Sequence, residues 1–170
     1  TIDQEPVTVT IETVSPSKSV TLAIDGTDGY YIISTADELD AFSVLVRTNS
    51  QVYAKLTASI TYNSGDLSTL AGKTDGYREY MPAGMTEVMS PTYSKSFNVF
   101  TGILDGQGYT ISGFNIYSVD NDLYNYTFVG LFGYIKNALI KNMHIAGTEE
   151  SYFNRPSSGS DDTNTKAYAI

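Results

Sequence analysis

Cysteine and tryptophan are absent from this 170-residue chain, and histidine occurs once, at position 144. Without cysteine there are neither disulfides nor thiolate metal sites. A single imidazole with no cysteine or second histidine completes no metal centre, and His144, between Met143 and Ile145, reads as a surface residue and not as a base. Positive charge is scarce: ten Lys and Arg stand against nineteen Asp and Glu, a formal charge of −9. Such a chain lacks the phosphate-neutralising face of a nucleic-acid binder, so neither nucleic acid nor an anionic membrane is expected as a partner. No apolar run approaches the length that spans a bilayer, and no signal peptide is visible, as in a mature or trimmed secreted chain.

Catalytic signatures are equally thin. Nucleophile motifs are missing, and Gly106-Gln107-Gly108 lacks the further glycine and lysine of a phosphate loop. Acids are plentiful, but nothing singles out two for paired-carboxylate hydrolysis. Asp105, Asp120 and Asp122 have no arginine near them in sequence, and Arg47, Arg78 and Arg155 are dispersed. No catalytic residue, metal or cofactor is assigned, and the chain is not expected to be an enzyme.

Tyrosine is abundant, at 14 residues. It suits half-buried strand surfaces, and also faces on which a ring stacks on a sugar. At this length the chain can bury about two-thirds of its unfolded surface in one core. Val7–Ile11 and Val20–Ile24 alternate apolar and small polar residues around a turn at Ser15–Lys18, the pattern of two half-buried strands. A lone hairpin is marginal in water, so it must dock on its own domain or exchange a strand with another molecule. Asp25-Gly26-Thr27-Asp28-Gly29 reads as a turn, because the later ligands of a calcium loop are missing. Thr35 and Glu38 form a capping box that opens one helix, with Leu39, Phe42, Leu45 and Val46 on one stripe. Val52–Tyr62 returns to strand character. Asn63–Asn98 is a long segment rich in Gly, Ser and Thr with scattered Tyr and Met, a candidate binding loop.

The organising stretch is Phe100–Gly147. Ile111-Ser-Gly-Phe114-Asn-Ile116 and Ile140-Lys-Asn-Met143-His-Ile145 share one spacing of apolar residues, 29 residues apart, with Gly113 and Asn142 at bends that need left-handed geometry. In a stack of turns Ile111 would lie on Ile140, Phe114 on Met143 and Ile116 on Ile145. The phrase Phe100–Phe114, the segment Val129-Gly-Leu-Phe-Gly-Tyr-Ile135 and Ala138–Ile145 resemble the repeats of bacterial surface and secreted proteins carrying the GLUG motif, Gly130–Gly133 being the namesake. The resemblance runs from about Tyr30 to Gly147.

That resemblance implies an all-β chain: a right-handed parallel β-helix, with an N-terminal capping helix and a preceding β-hairpin. Residues 1–29 would be a strand pair, an edge or linker to a preceding domain. Residues 30–170 would be a capped β-helix domain with a long loop at 63–99 and a polar tail loop at 148–166, truncated before further coils. The function implied is that of an extracellular, adhesin-like cell-surface module binding host or microbial glycans or proteins. Tyr77, Tyr80, Tyr124 and Tyr126 are the candidate ligand-binding residues. The alternatives are a carbohydrate-active enzyme, and a structural subunit that self-associates through its N-terminal strand or an open C-terminal coil. Calcium near Asp25/Asp28 or Asp120/Asp122 is left open.

Overall fold

The computed structural model describes residues 2–12, 17–64, 78, 80–88, 94–114 and 130–146. In chain order these form β1 (Val7–Ile11), β2 (Lys18–Leu22), β3 (Tyr31–Ile33), α1 (Ala36–Val46), β4 (Tyr53–Leu56), β5 (Ile60–Thr61), β6 (Met85–Val88), β7 (Ser94–Phe97), β8 (Ile103–Asp105), β9 (Thr110–Ser112), β10 (Leu139–Lys141) and β11 (His144–Ala146). A four-stranded parallel sheet has the order β10-β8-β4-β3, and a three-stranded parallel sheet the order β11-β9-β5. β1 with β2, and β6 with β7, make two antiparallel pairs.

The expectation of an all-β right-handed parallel β-helix is therefore corrected. Among the described residues the architecture is mixed α/β, with short strands in small parallel and antiparallel sheets and one helix set into the core. Glycine-marked bends and short apolar runs suit any small sheet crossed by tight turns, so they did not distinguish the two architectures. The stacking register is corrected as well. Ile140 pairs with Leu104, and Ile145 with Ile111. The observed offsets are 140 − 104 = 36 and 145 − 111 = 34 residues, not 29, and they differ from each other because the bend between consecutive strands varies in length: Gly106–Tyr109 separates β8 from β9, whereas Asn142–Met143 alone separates β10 from β11. The bend geometry itself is as expected, with Gly113 at φ 70° and Asn142 at φ 52°.

Local sequence accounts for α1. The Thr35 side chain accepts from the Glu38 N–H, and the Glu38 carboxylate accepts from the N–H groups of Ser34 and Thr35. Leu39, Phe42, Leu45 and Val46 are buried together. Phe42 meets Phe100 and Phe132 edge-on, with centroids at 5.8 and 6.1 Å, while Phe100 and Phe132 stack at 4.6 Å. A second aromatic group joins Tyr62, Tyr80 and Phe114 at 5.2–5.7 Å. The β1–β2 pair docks on α1 and buries Ile11 and Leu22, so within the described residues the N-terminal strand is paired inside its own molecule.

Close backbone approach fixes the parallel stack. A Cβ on Gly102 would sit 1.8 Å from the Val52 carbonyl oxygen, and one on Gly113 2.1 Å from that of Asn63. Only glycine fits at either point.

Candidate binding surface

Parallel pairing lines equivalent side chains into columns. The inward column of one sheet runs Tyr31, Ala54, Leu104, Ile140, and that of the other Ile60, Ile111, Ile145. Exposure along the second column is 2% at Ile60, 0% at Ile111 and 37% at Ile145. Ile145 faces inward but lies on the last strand, where no described residue covers it. Leu139 is 48% exposed, and Tyr134 and Ile135, just before β10, are more than half exposed. β10 and β11 thus present apolar side chains beside two sheet edges that the described residues leave unpaired.

The outer edge also carries backbone groups. The Leu139 N–H donates to the Gly102 carbonyl, and the Gly106 N–H donates to that of Lys141. Strand alternation therefore turns the N–H and C=O of Ile140 outward. In β11 the His144 N–H donates to the Tyr109 carbonyl, which places Ile145 in the same position.

The other end of the stack is closed. Ile24 bridges Tyr31 in antiparallel fashion, and the Ile32 N–H donates to the Ala23 carbonyl. The Gln4 side-chain amide donates to the carbonyls of Gly29 and Tyr53, and accepts from the Tyr53 N–H. This one side chain ties the N-terminal segment to β4.

The densest polar cluster lies beside α1. Asp40 is 5% exposed. Its Oδ1 accepts from the Tyr62 hydroxyl at 2.6 Å and its Oδ2 from Arg78 Nε at 2.8 Å. Arg78 Nη2 reaches Asp37 Oδ1 at 2.5 Å, and Lys18 binds the other oxygen of Asp37. Arg78 also lies over the Tyr62 ring, 5.2 Å from its centroid. Burial holds the Asp40 carboxyl above the usual carboxylate range and the Tyr62 phenol above its own, the phenol also feeling the Asp40 charge. For Arg78 burial opposes the charge, but Asp37 and Asp40 outweigh it and raise its pKa. Both Asp40 oxygens are occupied, so the cluster works as a tie between α1, Tyr62 just after β5, and Arg78.

Asp25 and Asp28 hold the Lys55 ammonium between them, at 2.6 and 2.8 Å. Lys55 and the Thr27 N–H draw the Asp25 carboxyl down to about 2. The cation at this turn is a lysine, and no group of three or more metal-ligating side chains occurs among the described residues. Asp105 Oδ2 pairs with Lys141 at 3.0 Å, and its Oδ1 accepts from the Gln107 N–H and the Asn142 amide.

Of the residues singled out for ligand binding, Tyr80 is corrected. It is fully buried and its hydroxyl donates to the Leu131 carbonyl, so no ligand reaches it. Tyr77, Tyr124 and Tyr126, with Asp120 and Asp122, lie outside the described residues. Met85–Val88 and Ser94–Phe97, inside the expected binding loop, are paired strands. His144 is exposed. Sequence reasoning missed Tyr134, Ile135 and Leu139 as surface groups and the Asp40–Arg78 tie. The exposed groups read as core by their apolar character, and the tie spans residues far apart in sequence. No helix among the described residues is long and apolar enough to cross a membrane. Comparison with family models, with curated proteins and with solved structures finds no match to this chain.

Proposed function

We propose that this chain is a non-catalytic recognition module of a secreted or cell-surface bacterial protein, and that it takes hold of a protein partner through β10 and β11. The observation that carries this reading is the uncovered end of the inward columns: Ile145 lies in register with the fully buried Ile111 yet is 37% exposed, and Tyr134, Ile135 and Leu139 on the same stretch of chain are exposed as well. Exposed apolar groups on edge strands suit association with protein. A glycan platform finds less support, because Tyr80 is in the core. The surface location rests on the resemblance of Gly130–Gly133 and its flanking repeats to surface-protein repeats. The absence of a catalytic role rests on the polar clusters, whose carboxylates are engaged by lysine, arginine or tyrosine.

The test is retention of the purified chain on immobilised matrix proteins and glycans, beside a variant carrying Leu139→Ser and Ile145→Ser. Retention on a protein that the variant loses is the expected result. Equal retention of both forms, or release of product from a polysaccharide, overturns the reading.

A further inference from the structure

Charge on the open end runs against the rest of the molecule. The chain has a net charge of −9, yet the stretch 130–146 holds Lys136, Lys141 and His144 and no Asp or Glu. Elsewhere Lys18, Lys55 and Arg78 are each bound by carboxylates of the closed end. Lys136 is exposed with no ion pair among the described residues. Lys141 shares Asp105, and its side chain remains 43% exposed.

The columns supply a register. On the outward face, cross-strand pairing runs Lys55, Asp105, Lys141, alternating in sign. The neighbouring inward column, Ala54, Leu104, Ile140, is apolar throughout. A further strand beside β10 would set an apolar residue against Ile140 and, next to it, an acidic one against Lys141. Its backbone would meet the outward N–H and C=O of Ile140. Cross-strand pairs of opposite charge stabilise a ladder and like pairs oppose it.

The geometry points to an extended acidic segment of another protein, alternating apolar residues with Asp or Glu, as the partner that adds as a strand along β10. This rests on the reading of β10 and β11 as the recognition surface and adds the chemistry of what is recognised. Overall repulsion by the negative chain works against any acidic partner, so a preference for one isolates the local effect of this end.

The experiment titrates the chain with two labelled peptides, N-acetylated alternating Val-Glu and Val-Lys decapeptides, following anisotropy at low salt. The acidic peptide is expected to bind about fivefold tighter, from one cross-strand charge pair at Lys141 and the nearby charge of Lys136. The double variant Lys136→Gln, Lys141→Gln, checked for an unchanged melting temperature, is expected to lose that preference. Lys136→Gln alone, which leaves the Asp105 pair intact, is expected to lose part of it. Equal binding of both peptides, or tighter binding of the basic one, overturns the acidic specificity while the recognition surface stands. If neither peptide binds but Leu139→Ser with Ile145→Ser still abolishes retention on a matrix protein, strand addition is overturned and the surface is not. If neither peptide binds and that variant is retained like the native chain, both ideas fall.

Discussion

The two ends of the parallel stack are built from the same kind of short strand and are finished differently. At the β3 end an antiparallel bridge from Ile24, the Gln4 amide, the β1–β2 pair and α1 cover the edge and its apolar column. At the β10 end the columns stop, among the described residues, at Ile140 and Ile145, with Leu139 and Ile145 exposed. A sheet edge is a template for pairing wherever it is left bare. The difference separates residues that hold the fold from residues free to meet something else. The two ends must therefore respond differently to substitution.

Substitution should be felt most at the covered end and the stack's interior. Phe42→Ala removes the ring that packs edge-on to Phe100 and Phe132, and is expected to cost about 3–5 kcal/mol, read by denaturant unfolding. Gly102→Ala drives a Cβ into the Val52 carbonyl and is expected to cost about 3 kcal/mol or more, with the parallel pairing of β4 and β8 loosened in hydrogen exchange. Thr35→Ala deletes the cap that accepts from the Glu38 N–H and should cost about 1 kcal/mol.

Acid probes ion pairs at both ends, Asp25 with Lys55 at the closed end and Asp105 with Lys141 at the open one. The Asp25 carboxyl is depressed to about 2 by Lys55 and the Thr27 N–H, below its unfolded value of 3.8. Its contribution to stability is present above pH 4 and is lost as pH falls toward 2. Lys55→Met should flatten the acid limb of the stability curve between those values, and an unchanged limb would place the acid sensitivity elsewhere. The smallest effect is expected at the open end: Leu139→Ser should shift stability by no more than about 0.5 kcal/mol in thermal unfolding, because its side chain has little to lose. A large loss there would mean that the end is covered in the native molecule, and would erase the contrast.

Two half-buried arginines sharpen the same lesson. Arg78 is satisfied by Asp37 and Asp40, whereas Nε and Nη2 of Arg47 are buried without a hydrogen-bond partner, and burial lowers the Arg47 pKa. Their fates differ because Asp37 and Asp40 lie one helical turn apart, on the face of α1 that Arg78 reaches.

Local signals carried a good part of the structure. The capping box, the buried stripe of α1, the hairpin alternation and the left-handed bends at Gly113 and Asn142 each depend on neighbours within a few residues, so chain order determines them. The architecture and the stacking register were not legible this way. Pairing of Leu104 with Ile140, and of Ile111 with Ile145, joins residues 36 and 34 apart, so a recurrence of apolar spacing at 29 did not mark the partners. The candidate site was legible in one respect only, the apolar spacing of Ile140, Met143 and Ile145 that marks strand character there. Tyr80 shows the limit: nothing in its neighbourhood distinguishes a tyrosine for a ligand from one whose hydroxyl finds the Leu131 carbonyl inside the core.

By itself the sequence determined the turns, the helix and its cap, the acidic balance, and the absence of thiol chemistry and of a histidine metal centre, all of which follow from composition or from contacts short in sequence. Only the tertiary structure decided that Asp40 is buried against Arg78, that Lys55 is the cation between Asp25 and Asp28, and that Ile145 is bare where Ile111 is covered. Burial and ion pairing depend on which distant strands the fold brings alongside, and whether an apolar residue is core or surface is settled by the presence of the next strand in the stack.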